Sequence, residues 1–330
     1  MTTRRELRTA PAPRTPPGVR RTAALSTAPG RRRARGMRTV PGLRKAPGLL
    51  RITVLLGFSV FCVVPLVWLL LAPTKTDAQL LNEHPLSFGS WDRVTLAWRN
   101  LMDYNDGVLL RWLVNSAWYS IASLAVTLFT AVLAGYALAT MRFPFRRALL
   151  MTTLVAMVLP ATALVLPLFL EINAVGLTNT PASVILPAAF YPFGVYLAFV
   201  YYATSLPKEL LEAARMDGCG EFRNFLAIAV PLSTPLVGML TFFSFVANWN
   251  NYFLPYVMLS DESVYNMTVG LGALIGGSPA LRPELGGSFL PITRPEVALA
   301  GLIVIVPIAV IFTFAQRYLV RGILSGAVKS

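Results

Sequence analysis

The sequence predicts an all-α membrane protein with six transmembrane helices. Hydrophobic residues make up 55% of its 330 positions and charged residues only 13%, about half the charged share of a soluble domain. Six runs, near 52–72, 112–139, 148–170, 184–206, 232–259 and 297–316, contain no Asp, Glu, Lys, Arg or His. Each is long enough to cross about 30 Å of hydrocarbon at 1.5 Å per residue. The basic residues also fall asymmetrically around these runs. With the amino terminus in the cytoplasm, 23 Lys and Arg lie inside and 6 outside, and without residues 1–51 the ratio is still 9 to 6. Both termini and the 205–232 segment are therefore expected on the cytoplasmic side of a cell membrane.

Residues 1–50 read as a basic, disordered cytoplasmic tail, and 51–330 as the six-helix transmembrane domain. Of the 29 Lys and Arg, 14 occur by Arg51, among Pro, Gly, Ala and Thr. Such a composition cannot build a core, and it suits contact with anionic membrane lipid rather than with nucleic acid. The pairs Arg4-Arg5 and Arg20-Arg21 match part of a twin-arginine export signal. The apolar run starts too far downstream for one and is long enough to remain as the first span.

An outside loop of mixed polarity, 73–111, follows the first span and carries Trp91 and Trp98, with Trp112 at its edge, the residue type that anchors span ends at the interface. The second span closes at Met141-Arg142-Phe143-Pro144 and Arg146-Arg147, a short basic turn that marks the inside. Spans three and four contain Pro160, Pro167, Pro187 and Pro192. Each removes a backbone donor and clashes with the preceding turn, so kinks and freed carbonyls are expected there.

The segment 205–232, SLPKELLEAARMDGCGEFRNFLAIAVPL, is a soluble-looking helical hairpin between two apolar runs. Pro207 suits a first helical turn, Glu209 suits its positive end, and Gly218 supplies a left-handed stop. In the second arm, Phe222, Phe225, Leu226, Ala229 and Val230 are spaced to share one helix face ending at Pro231. Span five holds the densest uncharged polar cluster, Asn248, Trp249, Asn250 and Asn251, followed by Tyr252. Amides that donate and accept, next to aromatic faces, suit sugar hydroxyls and ring C–H surfaces, and they equally suit hydrogen bonds between helices. The outside loop 260–296, with Gly276-Gly277, Gly286-Gly287 and four prolines, is expected to be long, mobile and irregular.

Several chemistries are not supported. The spans lack the buried charges of a proton relay. Cys62 and Cys219 lie in different regions and are not expected to pair, His84 is the sole histidine, and no metal-ligand spacing occurs. No Lys is preceded by the glycine pattern of a nucleotide-binding P-loop, so neither a cofactor nor a metal is expected on this chain.

Glu212, Ala213, Ala214, Asp217 and Gly218, followed by Val230-Pro231, resemble the cytoplasmic "EAA" loop of ATP-binding-cassette importer permeases. The segment NSAWYSIASLAVTLFTAVLAGYALATMRFPFRR from Asn115, the run SFVANWNNYFLPYVMLS from Ser244, and the tail AQRYLVRGILSGAVKS from Ala315 are similar to corresponding parts of carbohydrate permeases of the maltose type. The resemblance covers about 50–330 and implies a type I importer permease fold, in the role of the smaller membrane subunit. It implies a second permease subunit, an ABC ATPase dimer and an extracytoplasmic solute-binding protein as partners, with carbohydrate as cargo and ATP and Mg used by the ATPase. It assigns ATPase coupling to Glu212–Gly218, and an ATPase contact to the tail 317–330 through Gly322, Gly326 and Lys329, the glycines permitting a tight extended path. Asn248, Trp249, Asn250 and Asn251 would border the translocation path or its gate. A permease for a non-sugar solute, or a cation-coupled secondary transporter binding ions through carbonyls and hydroxyls, remains as an alternative.

Overall fold

A computed structural model of the chain describes residues 48–278 and 292–327. The described residues form helices and turns, with no strand among them. The order is α1 Gly48–Leu71, α2 Asp77–Asn82, α3 Trp91–Asp103, α4 Val108–Thr140, α5 Arg146–Val158, α6 Val165–Ala174, α7 Pro181–Ala189, α8 Pro192–Ser205, α9 Lys208–Met216, α10 Glu221–Asn224, α11 Val230–Leu232, α12 Thr234–Trp249, α13 Phe253–Met258, α14 Met267–Gly277 and α15 Arg294–Ala327. From Phe58 onward these make one compact unit.

Four helical segments are long and apolar enough to cross a membrane, and two more pairs qualify if each bent pair is counted as one. Of the four prolines expected to kink spans three and four, Pro160 and Pro192 act as a stop and a start, while Pro167 and Pro187 lie within α6 and α7. Leu159, held extended by the ring of Pro160, ends α5, and the two halves of this third segment meet at 103°. Pro192 opens α8 at a first-turn position where its missing N–H costs nothing. Pro187 lies two residues before the end of α7. A second bend, of 77° at Ser233, separates the second hairpin arm from α12.

The long helix α4 runs through the middle of the unit and packs on α7, α8, α12 and α14. Toward its N-terminal end, Leu109 and Trp112 join Phe245, Trp249, Met267, Ala300 and Val304 in one buried cluster; toward its C-terminal end, Ala131, Val132 and Tyr136 join Ala198, Tyr202, Leu206, Leu236 and Leu240 in another. Association of apolar helices in lipid relies on close packing rather than on water exclusion, which favours small residues at the contact. Gly135 is the example: a Cβ there would lie 2.3 Å from that of Ala198 and 2.8 Å from its carbonyl carbon.

Over its described residues 260–278, the loop 260–296 differs from the irregular connector expected from its glycines and prolines. It begins with a turn at Glu262–Val264 and then forms α14, whose Met267, Val269, Gly270 and Leu274 are buried. One stripe of α4, at i, i+3, i+4 and i+7, holds its backbone. Trp112 Nε1 donates to Glu262 O (2.7 Å), Asn115 Nδ2 to Ser263 O and Tyr265 O (both 2.9 Å), and Tyr119 Oη to Val264 O (2.8 Å), while Ser116 Oγ accepts from Met267 N (2.7 Å). Gly270 allows the indole of Trp112 to lie on α14, since a Cβ there would meet the ring at 2.1 Å. Gly286-Gly287, Pro279, Pro283 and Pro291 lie outside the described residues. The tail also differs from expectation: α15 continues through Gly322 and Gly326 to Ala327, helical rather than extended. Isolated glycines weaken a helix by about 1 kcal/mol each without stopping it.

The contact at Gly135 leads to a direct test. Gly135→Ala forces α4 and α8 apart and destabilises the fold by about 1–3 kcal/mol, as overpacking does. A lowered midpoint of thermal unfolding in detergent is the expected result, whereas Gly301→Ala, inside α15 with nothing within 4 Å of its Cβ, does not lower the midpoint and is expected to raise it slightly.

Candidate functional site

The hairpin 205–232 is built as a rigid unit. α9 begins after Pro207, which is the extended residue just outside the helix rather than a first-turn residue, and Glu209 occupies the first turn. The helix ends in a Schellman motif. Cys219 N donates to Ala214 O (2.9 Å) and Gly218 N to Arg215 O (3.0 Å), with Gly218 at φ +80°. The left-handed stop expected at Gly218 is therefore present, and no neighbour crowds the position; only the backbone conformation demands glycine. Across the turn, Arg215 Nε and Nη2 bond the two oxygens of Glu221 at 2.6 and 3.1 Å. These bonds hold the Glu221 carboxyl below its ordinary value near 4.5 and raise the Arg215 guanidinium above its own.

Leu211, 2% exposed, roots the first arm in the buried cluster that contains Tyr136, Tyr202, Leu206, Phe225 and Ala229. The second arm attaches differently from the single face suggested by spacing. Asn224, Phe225 and Ala229 are buried, while Phe222 and Leu226 are exposed. The segment Phe225–Ala229 is π-helical, which adds a residue to the turn and shifts the facing register away from a 3.6-residue period. The hairpin thus shows an outer apolar surface of Leu210, Ala213, Met216, Phe222 and Leu226, with Met216 88% exposed. Glu212, Asp217 and Gly218 are exposed beside it, and Ala214 is half-buried. The five residues singled out from the sequence, Glu212, Ala213, Ala214, Asp217 and Gly218, thus sit together on or beside one surface.

Between the hairpin and the α4–α5 turn lies a cavity of about 550 Å³, lined by residues that include Arg142, Arg146, Tyr202, Lys208, Glu212 and Glu221. The basic turn 141–147 and the hairpin therefore occupy the same end of the molecule.

The span-five cluster does not act as one group. Trp249 is buried, stacks on Phe245, and donates from Nε1 to Val304 O at 2.9 Å. Asn248 spends its amide nitrogen on Ser244 O and Oγ (2.9 and 3.3 Å). Asn250 is exposed at the end of α12, and the Asn251 carbonyl accepts from Asn266 Nδ2 and Thr268 Oγ1 at 2.9 and 2.8 Å. Just beyond, the exposed rings of Tyr252 and Tyr256 stack at 5.4 Å, a pair missing from the sequence-based site. Their i, i+4 spacing was the available signal; the break at 250–252 hid which way they face. Gly322 and Gly326 lie in α15, and Lys329 lies outside the described residues.

Residues 128–325 match the family described as binding-protein-dependent transport system inner membrane component. An arabinooligosaccharides transport system permease protein, AraQ, of Halalkalibacterium halodurans is 34% identical over 283 residues, 84% of this chain and 95% of that protein. The diacetylchitobiose uptake system permease protein NgcG of Streptomyces coelicolor is 26% identical, covering 82% and 86%. The lactose transport system permease protein LacG of Rhizobium radiobacter is 28% identical, covering 80% and 90%. Among solved structures, a chain of a bacterial ABC transporter involved in import of the acidic polysaccharide alginate has the same fold, with a TM-score of 0.70 at 22% identity over 82% of this chain and 95% of that one.

The Arg215–Glu221 pair generates a pH dependence. Because the folded carboxyl titrates lower than the free one, its contribution is complete above about pH 4.5 and fades as pH falls through the lowered value. Hydrogen exchange across 208–232 is expected to be faster in Arg215→Ala than in the parent at neutral pH, with the difference vanishing in acid. Equal exchange at neutral pH would mean that the pair does not stiffen the hairpin.

Proposed function

The chain belongs to the family of binding-protein-dependent transport system inner membrane components, and on that premise we propose that it is the permease subunit of an ATP-driven carbohydrate importer. It is a multi-pass membrane protein with a transport role. The sugar reading is supported by relatives whose names specify arabinooligosaccharides, diacetylchitobiose and lactose. In this reading ATP and Mg are used by a separate ATPase dimer, a solute-binding protein delivers cargo from outside, a second permease completes the path, and both termini face the cytoplasm.

The hairpin's construction carries the coupling assignment. A stiff knuckle, capped at Gly218 and braced by Arg215–Glu221, exposes Leu210, Ala213, Met216 and Phe222 to a partner while Leu211 and Phe225 root it among α4, α8 and α12. Force applied to the exposed face by a closing ATPase dimer reaches the spans through those roots, tilting them between inward-open and outward-open arrangements. A loose loop would absorb the displacement. The tail is a second ATPase contact, approached by a helix that carries Gly322 and Gly326. The surface of α1 from Phe58 to Leu66, largely exposed and apolar, suits lipid or the second permease.

In span five, Asn248 and Asn250 border the path. The Asn248 amide oxygen is left to accept from solute hydroxyls, and the stacked faces of Tyr252 and Tyr256 offer a platform for sugar C–H surfaces. Trp249 supports them from the core through its bond to Val304.

Two outcomes test this reading in membranes holding the complete transporter. Gly218→Pro, which removes the N–H donor to Arg215 and forbids φ +80°, and Asp217→Arg, which reverses charge at the knuckle, should each abolish ATP-dependent uptake of labelled sugar with membrane abundance near normal; normal uptake in either removes the hairpin from coupling. Asn248→Ala combined with Tyr256→Ala should lower uptake roughly tenfold or more, the scale of a lost hydrogen bond plus a stacking contact. Unchanged uptake and unchanged coupled hydrolysis place the path elsewhere.

A further inference from the structure

The cavity under the hairpin concentrates cations that the coupling role does not use. Arg215 and Glu221 neutralise each other. Arg146 is fixed by its Nε bond to Leu138 O at 2.6 Å, which leaves the rest of its guanidinium donors oriented but uncommitted. Arg142 and Lys208 have no carboxylate partner among the described residues, and Glu212 is the remaining carboxylate in the lining. Tyr202, also in the lining, is 2% exposed. Three cations, two from the α4–α5 connection and one from the base of the hairpin, therefore line about 550 Å³ of space against one free carboxylate. Like charges assembled this way repel unless an anion joins them.

We propose that this cavity binds a phosphate-bearing anion, which bridges Arg142 and Arg146 on the α4–α5 turn to Lys208 at the base of the hairpin. Guanidinium forks match phosphate oxygens in bidentate geometry, and lysine adds a point charge. The lining's Ala139, Met141, Leu206 and Leu211 add an apolar wall at the ends of the spans. That combination accommodates either a lipid headgroup with its glycerol or a soluble phosphate compound. The bound anion ties the first residue of α9 to the turn that ends α4, and so braces the root of the hairpin. This regulatory consequence rests on the coupling role proposed above; the binding itself does not.

The test uses the full chain in the membrane complex with which it copurifies, without ATP. One arm places the complex in nanodiscs of phosphatidylcholine with added phosphatidylglycerol and counts retained phosphatidylglycerol by native mass spectrometry. The other titrates pyrophosphate into complex held in phosphatidylcholine alone. Wild type is expected to bind in at least one arm, and Arg142→Gln with Lys208→Gln to weaken that binding by roughly fivefold for each cation removed. Variant-sensitive retention of lipid assigns the site to a headgroup, and variant-sensitive binding of pyrophosphate assigns it to a soluble anion. Glu212→Gln, which removes the opposing charge, should tighten binding, and it decides the matter if the double variant fails to assemble. Absence of binding in both arms, equal binding by wild type and double variant, or no effect of Glu212→Gln overturns the proposal. Since no arm requires hydrolysis or uptake, failure here leaves the coupling role standing, and failure of coupling leaves this binding measurable.

Discussion

A chain whose solvent is lipid must satisfy its own backbone wherever its helices break, and the fold is organised around that constraint. The helices break at Leu159–Pro160, at Ser233 and between Asn250 and Tyr252, and the chain turns again at 259–266. The last of these turns carries several backbone groups that no helix satisfies. Trp112, Asn115, Ser116 and Tyr119, one stripe of α4, bond them directly. The Trp249 indole likewise bonds Val304 O, within the continuous helix α15. Polar side chains inside apolar helices are here tied to backbone carbonyls and amides of their neighbours, and this fixes where α14 stands against α4 and α15 against α12.

At the other end of α4 the same helix positions the hairpin. Tyr136 packs on Tyr202 and Phe225, with ring centroids 5.6 and 5.1 Å away. The hairpin's two roots thus converge on side chains from the helices they would move. Motion of the knuckle relative to the spans would have to break this packed cluster, and packed clusters yield as units rather than by degrees. Asn224 adds a further constraint, fully buried with neither side-chain nitrogen nor oxygen bonded. It lies immediately before the π-helical turn. An unpaired buried amide is costly, so this junction stores less stability than an apolar residue would provide.

Much of the arrangement was readable without coordinates. The charge-free runs, the basic turn at Arg146-Arg147, the glycine stop at Gly218 and the grouping of Glu212–Asp217 on one accessible knuckle all follow from local chemistry. Spacing failed where local geometry departs from the ideal. A 3.6-residue rule grouped Phe222 and Leu226 with Phe225 and Ala229, and the π-turn separated them. Glycine and proline content suggested an irregular 260–296 loop, yet within its described part α14 forms over Met267–Gly277 because α4 supplies both backbone partners and an indole matched to Gly270. The glycines of the tail suggested an extended path, yet α15 passes through them, since a continuing helix satisfies its own hydrogen bonds.

Sequence by itself determined the solvent, the approximate spans and the chemical character of the knuckle, because transfer free energy, charge placement and backbone stereochemistry are properties of short segments. The tertiary structure alone decided which polar residues serve the fold and which remain available. Trp249 and Asn248 are neighbours in one polar run, but Trp249 is committed to a carbonyl 55 residues away. Arg142, Arg146 and Lys208 are separated along the chain and meet around one cavity. Such assignments depend on distances between segments, and no segment encodes them alone.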